Sequence, residues 1–172
     1  MLYKAIKEKA RQIDDFIDSN KRAFKLPMKE VDIVIRYLFP SCYIRSKGWF
    51  KTVFKVCTEE KEVVLKIGKS KSIKKDVDGY KKIPPKVRRK HFARMYWHTK
   101  YTILQEYGEE ASPTNNEVEE LRKIALKYGL SDIKRENIRS FGGKLKIVDF
   151  NIEEPGNKKL NFIRDYLKIN LT

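Results

Sequence analysis

The spacing of hydrophobic positions changes several times along the chain, and each change predicts a new element. Residues 2–20 carry apolar side chains three or four positions apart, which is typical of an amphipathic helix. A second helix is predicted from about 28 to 38, because Pro27 suits a first turn and Pro40 suits an end. Two helices are therefore expected before any strand.

A β pattern follows these two helices. Short runs rich in β-branched residues predict strands at about 42–46, 51–57 and 62–67. Helical spacing returns at about 71–82, and Pro84-Pro85 is expected to stop that helix.

The second half of the chain is predicted to be shorter elements around one helix. Two strands are expected near 92–97 and 101–107, and Gly108 to Pro113 is expected to be a loop. The remaining predicted elements are a helix opened by the capping box Thr114-Asn115-Asn116-Glu117 and closed near Gly129, strands near 138–140 and 144–149, and a last helix near 157–169.

Composition predicts a globular, basic protein. The chain has 172 residues, which suits one domain or two small lobes, and it is 41% hydrophobic. The formal net charge of +16 favours an anionic partner such as a nucleotide, a nucleic acid or an acidic lipid surface, although solubility alone is an alternative. No signal peptide and no apolar run of roughly 20 residues is found. We therefore expect a cytoplasmic protein with no membrane segment.

The positive charge is segregated along the chain. Residues 66–100 hold 13 Lys or Arg and 2 acids, whereas residues 106–120 hold six Glu and no base. Such segregation favours the steering of an anion, and RNA or another nucleic acid is a candidate. The alternative is a solvated helix and loop. The predicted phosphate-backbone contacts are Lys81, Lys82, Lys86, Arg88, Arg89 and Lys90.

A group of polar residues in the last third of the chain has the pattern of a phosphotransfer site. Asp132, Lys134 and Asn137 lie on a predicted loop, and Asp149 follows the next strand pair. A carboxylate can accept the proton of an attacking hydroxyl, and a lysine can stabilise the transferred phosphoryl group. Asn137 and Asp149 would supply oxygen ligands to Mg²⁺.

A lysine within an apolar strand adds a second candidate. Lys66 lies in Val63-Val64-Leu65-Lys66-Ile67, where an inward ammonium needs an anionic partner. The alternative is that Lys66 faces solvent.

The loop, its strand and the preceding helix together resemble the protein-kinase-like superfamily over about residues 41 to 152. Small atypical members are most similar: RIO-type kinases and the small kinase of the tRNA-modifying KEOPS assembly. The resemblance implies an α+β fold with an antiparallel five-stranded N-lobe, one N-lobe helix and a minimal C-lobe. The implied divisions are an N-terminal helical extension (1–40), an N-lobe (41–107) and a reduced C-lobe (108–172).

The resemblance also implies ATP and Mg²⁺ as cofactors and assigns roles to residues. Asp132 would be the catalytic base beside Lys134, and Asn137 and Asp149 would hold the metal. The nucleotide contacts it implies are Lys66 at the phosphates, Asp76 positioning that lysine, Gly48 in the phosphate loop, and Glu106 and Tyr107 at the adenine. Asp78 is an alternative to Asp76, and Gly48 is equally consistent with a plain hairpin turn.

Several positions depart from the kinase pattern. Leu130-Ser131 stand where the family commonly has His-Arg, and Asn151 stands where it has Gly. Only 21 residues follow Asn151, so an ordinary protein kinase is not expected unless a protein partner completes the C-lobe.

Three functions are consistent with these patterns. The first is a small atypical kinase or ATPase acting on or beside RNA. The second is a catalytically inactive kinase-fold module that binds nucleic acid or a protein through its basic surface. The third is an unrelated nucleic-acid-binding domain that uses the two N-terminal helices and the basic residues.

Overall fold

A computed structural model describes residues 2–20, 28–47, 51–130 and 133–150 of the chain. These residues form an α+β fold with five α-helices and two antiparallel sheets. The helices are α1 (Leu2–Asn20), α2 (Met28–Leu38), α3 (Ser70–Lys82), α4 (Pro85–His91) and α5 (Asn115–Leu126). The strands are β1 (Cys42–Lys47), β2 (Lys51–Cys57), β3 (Glu62–Gly68), β4 (Met95–His98), β5 (Thr102–Glu106), β6 (Glu109–Glu110), β7 (Ile138–Phe141) and β8 (Lys144–Ile147).

The larger sheet has five antiparallel strands in the order β1-β2-β3-β5-β4. Its register aligns Val53 with Lys66, and Lys66 with Ile103. Because side chains alternate between the two faces of a sheet, Lys66 shares a face with Lys51 and Lys55 on the neighbouring strand. This lysine-bearing face is called the inner face below.

The outer face of the same sheet is covered by the two N-terminal helices. Ile13 and Ile17 of α1 and Ile35 of α2 are fully buried against Leu65 and its neighbours on the sheet. The apolar stripe predicted for α1 is therefore confirmed as its packing face. Polar bonds also fix α1, because Asp14 accepts hydrogen bonds from the Thr99 hydroxyl and from the main chain of the β4–β5 turn.

The inner face packs against the remaining elements. Ile73 and Val77 of α3 are buried with Ile103 of β5. A further cluster unites α5, the segment after α4 and the second sheet, and its centre includes the fully buried ring of Phe150.

The predicted start of α5 is confirmed. Thr114 caps the helix, since Glu117 N donates to its hydroxyl at 3.3 Å and Thr114 N donates to the Glu117 carboxylate at 2.8 Å. Gly129 follows the helix with a φ of 78°, a left-handed conformation that glycine adopts at little cost.

Two elements differ from the prediction. Pro84-Pro85 do end α3, but Pro85 also occupies the first turn of α4, which the sequence prediction lacked. Proline suits that position because its missing N–H would have no helical partner there. The second sheet has three strands and not two, since Glu109–Glu110 form β6 within the predicted loop 108–113.

The helix predicted near 157–169 lies outside the described residues. Among the helices described, none is long and apolar enough to cross a membrane.

The bonds from Asp14 predict how strongly α1 is anchored. Replacing Asp14 with Ala removes acceptors for the Thr99 hydroxyl at 2.9 Å and the Lys100 N–H at 2.8 Å. We expect a loss of about 1–3 kcal/mol in the free energy of unfolding, measured by urea denaturation. The control is Asp15→Ala on the exposed side of α1, which should change stability by less than about 0.5 kcal/mol. Equal effects of the two substitutions would contradict this anchoring.

Candidate functional site

The main chain at Val148, just after β8, joins three parts of the predicted site. The Val148 N–H donates to the carbonyl of Asn137 at 2.9 Å. The Val148 carbonyl accepts hydrogen bonds from Lys66 Nζ at 2.5 Å and from Gln105 Nε2 at 3.1 Å. The β7–β8 hairpin therefore returns the chain to Asn137, and the inner face of the sheet holds it there next to Asp149.

A buried ion cluster lies beside this junction. Lys51 Nζ at the start of β2 is 2.7 Å from Asp76 Oδ2 on α3 and 2.9 Å from Asp149 Oδ1. The Asp76 side chain is fully buried, the Lys51 side chain is 10% exposed, and Asp149 is 25% exposed. Solvent therefore reaches this cluster from the Asp149 end.

The partner of Asp76 differs from the prediction. The resemblance implied that Asp76 positions Lys66, whereas the carboxylate of Asp76 bonds to Lys51 on the neighbouring strand. Lys51 was not among the residues selected from the sequence. Lys66 bonds to a main-chain carbonyl, and its ammonium lies 5.5 Å from the centre of the Phe150 ring.

Burial and the charges of neighbouring residues shift the pKa values of this cluster in opposite directions. Burial alone would lower the pKa of Lys51, but the carboxylates of Asp149 and Asp76 outweigh burial and raise it. For Lys66 burial prevails and the pKa is lowered. Burial raises the pKa of Asp76 despite two nearby lysines. The pKa of Asp149 is lowered, because Lys66 and Lys51 outweigh its burial.

The loop that carries the predicted catalytic residues is tied to α5. Arg122 donates to the Ile133 carbonyl from Nε at 3.3 Å and from Nη2 at 3.1 Å. Arg135 donates to the Asn115 side chain at 2.6 Å and to the Pro113 carbonyl. These two arginines fix the main chain on either side of Lys134.

The described chain includes three of the four predicted catalytic and metal residues. Asp132 and Gly48 lie outside the described residues. Lys134 has an exposed side chain and precedes a single 3-10 turn over Arg135–Asn137, in which Asn137 N donates to the Lys134 carbonyl at 3.0 Å. The bond from Val148 N to the Asn137 carbonyl brings the main chain before Asp149 beside Asn137, and their spacing around a hairpin predicted this return of the chain.

The predicted adenine contacts lie at the end of β5. The Glu106 carboxylate accepts hydrogen bonds from Arg94 N at 3.0 Å and from Lys146 Nζ at 3.1 Å, which links the two sheets. Tyr107 lies under the ammonium of Lys55, 4.0 Å from the ring centre. The site prediction lacked both Lys55 and Lys146, because neither stands in a recognisable motif.

The donor set fits a magnesium ion that is bound together with phosphates. Within the described ranges no group of three or more His, Cys, Asp or Glu could hold a metal ion. Magnesium, however, commonly uses one or two protein oxygens and takes further ligands from phosphates and water. The Asn137 amide and the Asp149 carboxylate are oxygen donors of this kind. Lys51 Nζ and the Phe150 N–H both donate to Oδ1 of Asp149.

Two buried oxygens at the site are also unmatched. Asp76 Oδ1 and Gln105 Oε1 have no hydrogen-bond partner within the described part of the chain.

The basic residues predicted to contact nucleic acid lie on one part of the surface. Lys81, Lys82, Lys86, Arg89 and Lys90 are exposed at the end of α3 and on α4. Arg88 is half-buried, with its guanidinium 4.8 Å from the centre of the Tyr80 ring. Lys81 also lines an open groove of about 490 Å³ between α3 and the β4–β5 turn, together with Lys71, Lys74, Asp78, His98 and Lys100.

No protein-family model matches this chain, and no curated protein matches it significantly.

The ion cluster predicts a distinctive pattern of stability. Lys51→Met leaves the buried Asp76 without its counter-ion, and we expect a loss of about 3–5 kcal/mol in the free energy of unfolding at neutral pH. The double variant Lys51→Met/Asp76→Asn should recover part of that loss. The control is Lys74→Met, which removes an exposed pair with Asp78 and should cost less than about 1 kcal/mol.

The loss of unfolding free energy in Lys51→Met, relative to wild type, should depend on pH. Without Lys51, the folded-state pKa values of Asp76 and Asp149 both rise, so the folded variant binds more protons than the folded wild type. Stability relative to wild type should therefore fall as pH rises, and the deficit should be smaller at about pH 4 than at neutral pH. A deficit that stays constant across this range would contradict the ion-pair account.

Proposed function

We propose that the protein binds ATP with magnesium and is a small atypical kinase or ATPase with a protein-kinase-like fold. The observation that carries the proposal is the junction at Val148. Lys66 from β3 and Asn137 from the loop are each hydrogen-bonded there to Val148, the residue before Asp149. The sequence pattern assigns these same three regions to one nucleotide site.

The fold around this junction supports the same function. The large sheet has five antiparallel strands, and α3 lies between β3 and β4 in the chain. This agrees with the element order on which the kinase resemblance rests. Three lysines on the inner face of that sheet offer positive charge to a polyphosphate. Asp76 from α3 reaches the same cluster, as a helix acid does in the kinase-like arrangement.

Each described residue then has a chemical task. Asn137 and Asp149 would hold Mg²⁺, which neutralises phosphate charge when it is bound. A lysine of the inner face binds phosphate oxygens through charge-assisted hydrogen bonds. Glu106 and Tyr107 border the adenine, and Lys134 stabilises the transferred phosphoryl group. Asp132 is proposed as the base that accepts the proton of the attacking hydroxyl.

Calorimetry with and without magnesium tests this proposal. Wild type should bind ATP more tightly with magnesium, and Asp149→Asn should lose about tenfold or more of that affinity, because it removes a charged ligand. The matched control is Asp15→Asn, an exposed acid on α1, which should bind as wild type does. An ATP affinity that is the same with and without magnesium would contradict the assignment. So would an Asp149→Asn variant with wild-type affinity.

A second candidate function is nucleic-acid binding by the basic surface. The exposed lysines and arginine follow one another along α3 and α4, and Lys81 also lines the groove. Several positive charges on successive helices suit the repeated phosphates of a nucleic-acid backbone better than a single phosphate. This function is compatible with a kinase or ATPase and equally with an inactive module of the same fold.

Charge reversal tests the second candidate. Substituting Glu for Lys86, Arg89 and Lys90 together should weaken binding to a short mixed-sequence RNA. It should also lower the salt dependence of binding by about one unit of slope for each phosphate that the variant no longer neutralises. Fluorescence anisotropy at several salt concentrations measures both quantities. The control replaces the exposed Lys123, Lys127 and Lys144, which stand outside α3 and α4. Equal reductions in the two triple variants would indicate only a general charge effect.

A further inference from the structure

Two lysines of the inner face are placed to meet a phosphate, and the structure distinguishes them. Lys51 lies at the start of β2 and Lys66 in the middle of β3, two rungs apart along one strand pair. Both ammonium groups lie near Asp149. Their hydrogen-bond partners differ, however, and this difference decides which of them can take a ligand.

Lys66 is committed to the protein main chain. Its ammonium donates to the Val148 carbonyl at 2.5 Å, and the residue is only 5% exposed. Moving Lys66 onto a ligand would leave that carbonyl with the weaker bond from Gln105 at 3.1 Å. It would also release the segment that places Asp149 beside Asn137.

Lys51, in contrast, is held by two carboxylates and can give one of them up. Its bond to Asp76 is fully buried, while its bond to Asp149 lies at the end of the cluster that solvent reaches. A phosphate oxygen arriving there can replace Asp149 as the acceptor, because both are anionic oxygens of similar geometry. The exchange keeps the ammonium paired with Asp76 and releases Asp149 Oδ1 from Lys51, while the Phe150 N–H still donates to that oxygen.

We infer that Lys51 on β2 is the lysine that contacts the phosphates of the nucleotide, and that Lys66 on β3 is a positioning residue acting through Val148. This inference rests on the proposed nucleotide site and changes the role that the resemblance implies for Lys66. Asp76 of α3 then positions Lys51, the phosphate-binding lysine of β2. We expect the phosphate to bind Lys51 and to displace the Asp149 carboxylate from it.

Comparing ATP with adenosine separates the two roles. The dissociation constants of both ligands are measured by calorimetry, with and without magnesium, for wild type, Lys51→Met, Lys66→Met and the exposed control Lys123→Met. Lys51→Met should weaken ATP binding by about tenfold or more in both conditions and leave adenosine binding within about twofold of wild type. Lys66→Met should weaken ATP binding only when magnesium is present, because it displaces the segment that carries the metal ligand Asp149 and removes no phosphate contact. Lys123→Met should change neither ligand's affinity.

A second variant covers the case in which Lys51→Met does not fold. Lys51→Met/Asp76→Asn removes both charges of the buried pair, and it should show the same selective loss of ATP affinity. Circular dichroism verifies the fold of each variant before binding is measured.

The other outcomes overturn the inference in distinguishable ways. If Lys66→Met alone loses ATP affinity without magnesium, Lys51 is not the phosphate contact, but the proposed nucleotide site stands. If every variant retains the wild-type ratio of ATP to adenosine affinity, neither lysine contacts phosphate and the inference is wrong. If wild type binds neither ligand, the proposed function and the inference are both wrong.

Discussion

The arrangement of this protein depends on the buried ion pairs that Lys51 makes with Asp76 and Asp149. They join β2, α3 and the segment after β8, which are distant in the sequence. A carboxylate as deeply buried as Asp76 is costly unless an opposite charge accompanies it. The three elements therefore have to assemble together, and the cluster links the large sheet to the rest of the chain.

The second constraint is the main chain at Val148. Its carbonyl and N–H bond to side chains of the large sheet and to the loop of the small sheet, so the position of Asp149 is fixed from both sides. The N-terminal helices contribute indirectly, because they cover the outer face of the large sheet. A sheet packed on its outer face holds the lysines of its inner face in place, which a ligand site requires.

Much of this fold follows from local sequence patterns. The stripe of α1 and the capping box of α5 were predictable, since spacing and capping chemistry act within a few residues. The start of α4 was missed because Pro84-Pro85 indicates an end as readily as a beginning. β6 was missed because two glutamates carry no β pattern, and their pairing with β7 comes from tertiary contact.

The motif residues of the candidate site were predictable from the sequence, but the bond between Asp76 and Lys51 was not. Asn137 and Asp149 were selected for their spacing around a hairpin, and the hairpin does bring their segments together. Lys51 was missed, although the register of the β2–β3 hairpin places it on the same face as Lys66. The packing of α3 on the sheet decides which lysine bonds to Asp76. The local sequence does not encode that packing.

The central claim is that this buried cluster is a ligand site and not only a structural ion network. A crystal structure of the protein with magnesium and a non-hydrolysable ATP analogue tests it most directly. If the cluster binds the nucleotide, phosphate density lies on the inner face of the large sheet, beside Lys51 and Asp149. An intact Lys51–Asp149 pair, with the nucleotide absent or bound elsewhere on the molecule, would contradict it.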